Sequence, residues 1–166
     1  LMVVSDHGMT EVTNYINLEQ LLKISGIKAR ISAGPAVAHL FLEADEIDQA
    51  KEFFNKQEHL RAYKKNDLPV SFHLNHPTRT GDLVITTEAP NMFSSFGRPK
   101  GMHGYRPETS NMWGIFYALG AAVTPKKIGP IHQVDVAPTI ANILGIEMRF
   151  QHLKFGSNNS KFDFNI

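Results

Sequence analysis

The stretch Leu1-Met2-Val3-Val4-Ser5-Asp6-His7-Gly8-Met9 decides the reading of the chain. Its first four residues are apolar without alternation, the pattern of a parallel strand buried on both faces. The expectation is a strand over residues 1–4 in the middle of a sheet, with an N-terminal partner segment ahead of Leu1. Asp6 and His7 follow just past the C-terminal end of that strand, where the loops of open α/β sheets converge into sites. Neighbouring side chains on an extended strand point apart, but in a tight turn they converge, and Gly8 supplies the freedom to turn. A carboxylate and a neutral imidazole are both good Zn²⁺ ligands. The plainer alternative is a strand-end turn whose Asp caps a helix.

Working outward, Asn17 is placed to cap a helix over 18–24, with Leu18, Leu21 and Leu22 on one face and Gly26 as its stop. Residues 29–32, 37–42 and 60–64 read as strands. Residues 45–55 read as a helix with Ile47, Ala50, Phe53 and Phe54 on its apolar face. This β-β-α-β run, residues 27–73, is expected to be a small inserted α+β subdomain. Its His39 sits among apolar strand residues and reads as a sheet histidine, not a ligand. Residues 82–87, with Leu83-Val84-Ile85, form the next strand, and Arg79 and Asp82 are expected to hold the entry into it. Residues 89–104 read as a loop, 113–119 as a strand, and 135–144 as a helix with Asp135 as N-cap and Pro138 in its first turn. Residues 147–166 form a tail without assigned structure. Its Asn158-Asn159-Ser160 sequon is a common chance match.

A second chemical candidate is Gly101-Met102-His103-Gly104-Tyr105, a histidine between glycines at the end of a loop carrying Pro90, Gly97 and Pro99. Backbone of this kind can approach a metal or a substrate closely. A surface histidine in a flexible loop is the alternative, and Tyr105 reads as a packing residue.

Composition narrows the chemistry. The 166 residues carry 17 basic and 16 acidic side chains, a net charge of +1. So balanced a total gives no electrostatic case for a nucleic-acid polymer or a membrane partner. Local patches remain, such as Arg98 with Lys100 and Arg106. There is no cysteine, so disulfides and thiolate metal sites are excluded, and a metal must be held by His, Asp or Glu. No apolar run approaches the roughly 20 residues that a spanning helix needs.

The segments around Asp6-His7-Gly8 and His103, in this order and separated by a subdomain-sized stretch, resemble the nucleotide pyrophosphatase/phosphodiesterase family of the alkaline phosphatase superfamily. Three further segments carry the resemblance: residues 75–84 (Asn-His-Pro-Thr-Arg-Thr-Gly-Asp-Leu-Val), 112–120, and 134–140 ahead of Leu144-Gly145-Ile146. The resemblance implies an α/β fold: an alkaline-phosphatase-like sheet with helices on both faces, partial here. Residues 1–26 and 74–146 would belong to that core. It also implies a Ser/Thr nucleophile between two Zn²⁺ ions. Asp6 and His7 match the pair on the ion nearest the nucleophile, and His103 matches a ligand of the other. The nucleophile and the remaining ligands are expected ahead of Leu1, so this chain alone is expected to be inactive. His73 and His76 fall in a connecting segment, away from the metals.

Two such ions about 4 Å apart clamp the attacking and leaving oxygens of an in-line phosphoryl displacement. The implied substrate is a small phosphodiester or pyrophosphate. The implied location is periplasmic, extracellular or on a membrane-anchored ectodomain. Competing readings are a phosphomonoesterase, phosphonate hydrolase or sulfatase of the same superfamily, or a non-catalytic module that keeps the fold.

Overall fold

The structure, a computed structural model, describes residues 1–120 and 123–147. Ten strands and three α-helices follow one another in these residues, with short 3-10 turns between some of them: β1 (Met2–Val4), β2 (Thr10–Glu11), β3 (Asn14–Ile16), α1 (Leu18–Ser25), β4 (Arg30–Ala33), β5 (Val37–Phe41), α2 (Ile47–Asn55), β6 (Leu60–Lys64), β7 (Leu83–Thr87), β8 (Asn91–Phe93), β9 (Gly101–Met102), β10 (Phe116–Ala118) and α3 (Val136–Ile143). The described residues divide into two compact units, residues 7–115 and residues 1–6 with the described residues from 116 to 147.

The larger unit is built on a four-stranded sheet in the order β4-β5-β7-β6, antiparallel throughout. Leu83, Val84 and Ile85 are all fully buried in its third strand. An unbroken apolar run suits a strand that is paired on both edges and covered on both faces. β5 alternates instead, with Ala38 and Leu40 buried and Val37, His39 and Phe41 only partly so. Ala38, Leu40, Leu60, Ala62, Leu83 and Ile85 form one core with Leu18 and Leu22 of α1 and Ala50 and Phe54 of α2. Both helices therefore load the same core. The sequence predicts parallel pairing, but the only parallel pair among the described residues is β3 with β8. Residues 83–87, assigned by sequence to the surrounding core, sit in the middle of the sheet made by residues 30–64.

The caps of α1 follow the sequence closely. Asn17 Oδ1 accepts from Gln20 N at 3.0 Å, and Gly26 closes α1 at φ +71°, a left-handed conformation that glycine adopts without strain. Such a cap is worth about 1 kcal/mol.

In the smaller unit β1 pairs antiparallel with β10, Val3 opposite Tyr117. Val3 and Val4 are exposed, which departs from the buried parallel strand expected of residues 1–4. The cause is neighbours: among the described residues β1 has one partner strand, whereas β7 has two. Asp135 precedes α3 but makes no side-chain cap bond. A 3-10 turn over Gln133–Asp135 already holds its backbone at helical angles, whereas an N-cap side chain needs extended ones. The sequon lies outside the described residues.

Candidate metal centre

Two short strands bring the candidate histidines together. β2 pairs antiparallel with β9, Thr10 opposite Met102 and Glu11 opposite Gly101. Extending that register by one residue sets Met9 against His103. His7 comes two residues before Met9. The rings of His7 and His103 stack with centroids 3.8 Å apart and planes 14° apart. Both are half-buried. His7 Nδ1 lies 2.7 Å from Gly8 O. A carbonyl only accepts, so this bond puts the proton on Nδ1 and the neutral ring's lone pair on Nε2. Orientation of a ligand imidazole by a backbone carbonyl in this way is usual at metal sites.

Gly8 matters here for a reason other than the expected one. Its N–H donates to Met112 O at 2.9 Å, and a Cβ built on it would meet Asn111 O at 2.0 Å and Trp113 O at 2.8 Å. The requirement is close approach of the 111–113 backbone, reinforced by Asn111 Nδ2 donating to Thr10 Oγ1. Gly104 is the position that needs conformational freedom, at φ +90°. Gly101 leaves space that the Met9 thioether occupies, 3.2 Å from where a Cβ would sit.

Tyr105 packs, as its neighbours in sequence suggest. It is buried with Ala36 and Met112, and its hydroxyl donates to Asn91 O at 2.8 Å. Burial pushes its phenol up from the ordinary tyrosine range, so it remains a donor. Asn91 in turn accepts from Asn14 Nδ2 and donates to Glu88 O. The residue two places after His103 is thus anchored in the β3–β8 pair.

Asp6 stands two residues past the end of β1 and is exposed. It closes the smaller unit, and His7 opens the larger one. The other singled-out residues take structural roles. His39 Nδ1 accepts from Gly81 N, and burial lowers its pKa, which keeps the ring neutral. Asp82 Oδ2 accepts from Leu42 N and holds the entry to β7. The exposed Arg79 takes part through its backbone, its N–H donating to His76 Nδ1 as the N–H of Thr78 does. His76 therefore organises a turn, and His73 ends the preceding 3-10 turn at φ +48°. An open groove of about 540 Å³, lined by Lys28, Arg30, Glu43, Glu46 and neighbours, contains none of the three candidates.

Among the described residues, no group of three or more His, Cys, Asp or Glu side chains comes together as a metal cage. Zinc takes four ligands. The donor chemistry of two imidazoles suits it.

Comparison with known proteins adds to this geometry. The family described as type I phosphodiesterase/nucleotide pyrophosphatase matches residues 1–106. An ectonucleotide pyrophosphatase/phosphodiesterase of Caenorhabditis elegans is 32% identical over 151 residues, 89% of this chain and 20% of the relative. The human bis(5'-adenosyl)-triphosphatase is 26% identical over 94% of this chain and 35% of its own length. The chain thus spans between a fifth and about a third of these relatives. The solved structure of human ectonucleotide pyrophosphatase/phosphodiesterase 5 overlays with a TM-score of 0.79 at 24% identity, covering 91% of this chain and 42% of that one. This likeness establishes the fold as alkaline-phosphatase-like α/β. An inactive variant of the murine protein in complex with AMP overlays with a TM-score of 0.59 at 25% identity over 69% of this chain and 32% of that one.

Proposed function

The chain belongs to the type I phosphodiesterase/nucleotide pyrophosphatase family, and on that premise we propose that it forms part of a metal-dependent hydrolase of phosphodiester or pyrophosphate bonds. The observation that carries the reading is the stacked pair of His7 and His103, brought together from opposite ends of the larger unit. On this reading Asp6 and His7 hold one Zn²⁺ and His103 helps to hold a second. The attacking Ser or Thr and the other ligands lie outside these 166 residues, as the family resemblance implies. When bound, the ions would lower the pKa of the attacking hydroxyl and neutralise charge on the transferred phosphoryl group.

The work of this chain's residues is positional. Gly8 O holds the His7 ring so that Nε2 presents its lone pair. The β2–β9 ladder fixes the spacing of the two rings, and Tyr105 anchors the segment that carries His103. Small nucleotide substrates suit the family, and the human relative is named as a triphosphatase of a dinucleotide.

The test is a chimera in which this chain replaces the corresponding segment of human ectonucleotide pyrophosphatase/phosphodiesterase 5. It is expected to hydrolyse bis(p-nitrophenyl) phosphate in a zinc-dependent manner. His7→Ala or His103→Ala should each lower kcat/KM by more than about 100-fold, beyond what losing a residue behind a ligand costs. Turnover undiminished in the double variant would overturn the proposal.

A further inference from the structure

The two candidate histidines stand at one end of a very short ladder. β2 and β9 pair over two residues each, and Val12 N donating to Lys100 O prolongs the pairing at the end away from His7. The His7 end is tied by a loop. Residues 105–113 leave the chain two places after His103 and return against Gly8, the residue after His7. This loop is closed on itself. Thr109 N donates to Arg106 O at 3.0 Å, Met112 N to Thr109 O at 2.8 Å and Trp113 N to Ser110 O at 3.0 Å. Trp113 Nε1 donates to Pro107 O at 3.0 Å, and Arg106 pairs with Glu108 at 3.3 Å. Its two ends are fastened together as well, since Tyr105 and Met112 are buried in one cluster with Ala36.

From the braced loop two hydrogen bonds reach the His7 segment, one on either side of Met9. Gly8 N donates to Met112 O at 2.9 Å, and Asn111 Nδ2 donates to Thr10 Oγ1 at 3.1 Å. The first holds the peptide between His7 and Gly8. Gly8 O in turn accepts from His7 Nδ1 at 2.7 Å. Contacts therefore run from the loop through Gly8 to the His7 ring, whose centre lies 3.8 Å from that of His103. A single bond at Gly8 would leave the segment free to pivot about it. The second bond, two residues on, removes that freedom. Asn111 is exposed, and among the described residues the bond to Thr10 is the one hydrogen bond its side chain makes.

We infer that the 105–113 loop is a clamp on the spacing of His7 and His103, and that Asn111 is a positioning residue for His7. The catalytic consequence rests on the hydrolase reading. In that reading the two rings serve ions about 4 Å apart, and misplacing a group by about 1 Å can cost about 100-fold in rate. Asn111 acts through Thr10 and is not itself a ligand. The loop joins both histidines because one stretch of chain starts beside His103 and ends beside His7, so a shift of the loop moves one ring against the other.

The experiment reads the ring pair first and turnover second. In the 166-residue chain in EDTA, a proton–carbon NMR spectrum records the Hε1 signal of His7. The stacked His103 ring shields that proton, and His103→Ala supplies the unstacked reference. Asn111→Ala and Thr10→Val should each move the signal toward that reference, with the amide spectrum showing that each variant keeps its fold. Thr10→Ser keeps the acceptor oxygen and should leave the signal in place. The double variant Asn111→Ala/Thr10→Val should go no further than either single change, because both remove the same bond. In the chimera with human ectonucleotide pyrophosphatase/phosphodiesterase 5, Asn111→Ala should raise the zinc concentration for half-maximal turnover about tenfold or more, and Thr10→Ser should not. A merely structural role would lower turnover alike at every zinc concentration. A His7 signal unmoved by Asn111→Ala, equal shifts in Thr10→Ser and Thr10→Val, or an unshifted zinc dependence would overturn the clamp. A native chimera without zinc-dependent turnover, with the ring signals responding as stated, would overturn the hydrolase reading alone.

Discussion

Two strands that look alike in sequence have opposite fates. Leu83-Val84-Ile85 in β7 is wholly buried, whereas Val3 and Val4 in β1 are 44% and 46% exposed. β7 lies between β5 and β6 with α2 packed on the shared core, while β1 has β10 as its one partner among the described residues. An apolar run thus specifies that a strand can be buried; its neighbours decide whether it is. The same contrast separates the two candidate segments. His103 directly follows β9, with Tyr105 beyond it bonded to Asn91 O, and Asp6 stands two residues past the end of β1.

The contrast breaks most sharply under charge. Ile85→Asp places an unpaired carboxylate in a fully buried position, and the expected loss exceeds about 4 kcal/mol, enough to unfold the larger unit. Val3→Asp should move stability by no more than about 0.5 kcal/mol. Urea denaturation followed by circular dichroism separates the two, and equal losses would remove the distinction. Truncation gives a smaller version. Phe54→Ala should cost about 3–5 kcal/mol because the vacated volume lies inside the shared core. Val4→Ala should cost less than about 1 kcal/mol, since the side chain is already partly in water.

Gly8→Ala probes the brace beside the site. Its Cβ would strike backbone at Asn111, which cannot swing away as a side chain can, so a loss of about 1–3 kcal/mol is expected. Thermal denaturation of the variant measures it. The smallest effect is a pH slope. Burial lowers the His39 pKa in the folded chain, so the unfolded state takes up its proton first as pH falls. Stability contributed by neutral His39 is therefore present above the unfolded value of about 6.5 and declines below it. Urea midpoints measured across that range should fall with pH in the native chain and flatten in His39→Gln.

Much of this architecture is legible where a signal is local. Asn17 and Gly26 mark the ends of α1, and Ile47, Ala50, Phe53 and Phe54 mark the inner face of α2, because caps and helical periodicity are short-range features. What escapes is pairing between distant segments. β2 and β9 are two residues each, too short to show alternation, yet they carry both candidate histidines to one place. The parallel β3–β8 pair lies partly in what reads as a loop. Asp135 has the composition of a cap but the backbone of a helix, a conformation set by the turn before it. Gly8 reads as a hinge and turns out to be a contact, since what lies 2.0 Å from its missing Cβ is a residue more than 100 positions away.

The account stands on His7 and His103 as metal ligands, and anomalous diffraction at the zinc edge from crystals grown with millimolar Zn²⁺ addresses that directly. Zinc is expected about 2.0–2.1 Å from an imidazole nitrogen of His7, His103 or both. Zinc found only at other histidines such as His76 or His132, with neither stacked ring ligated, would contradict it.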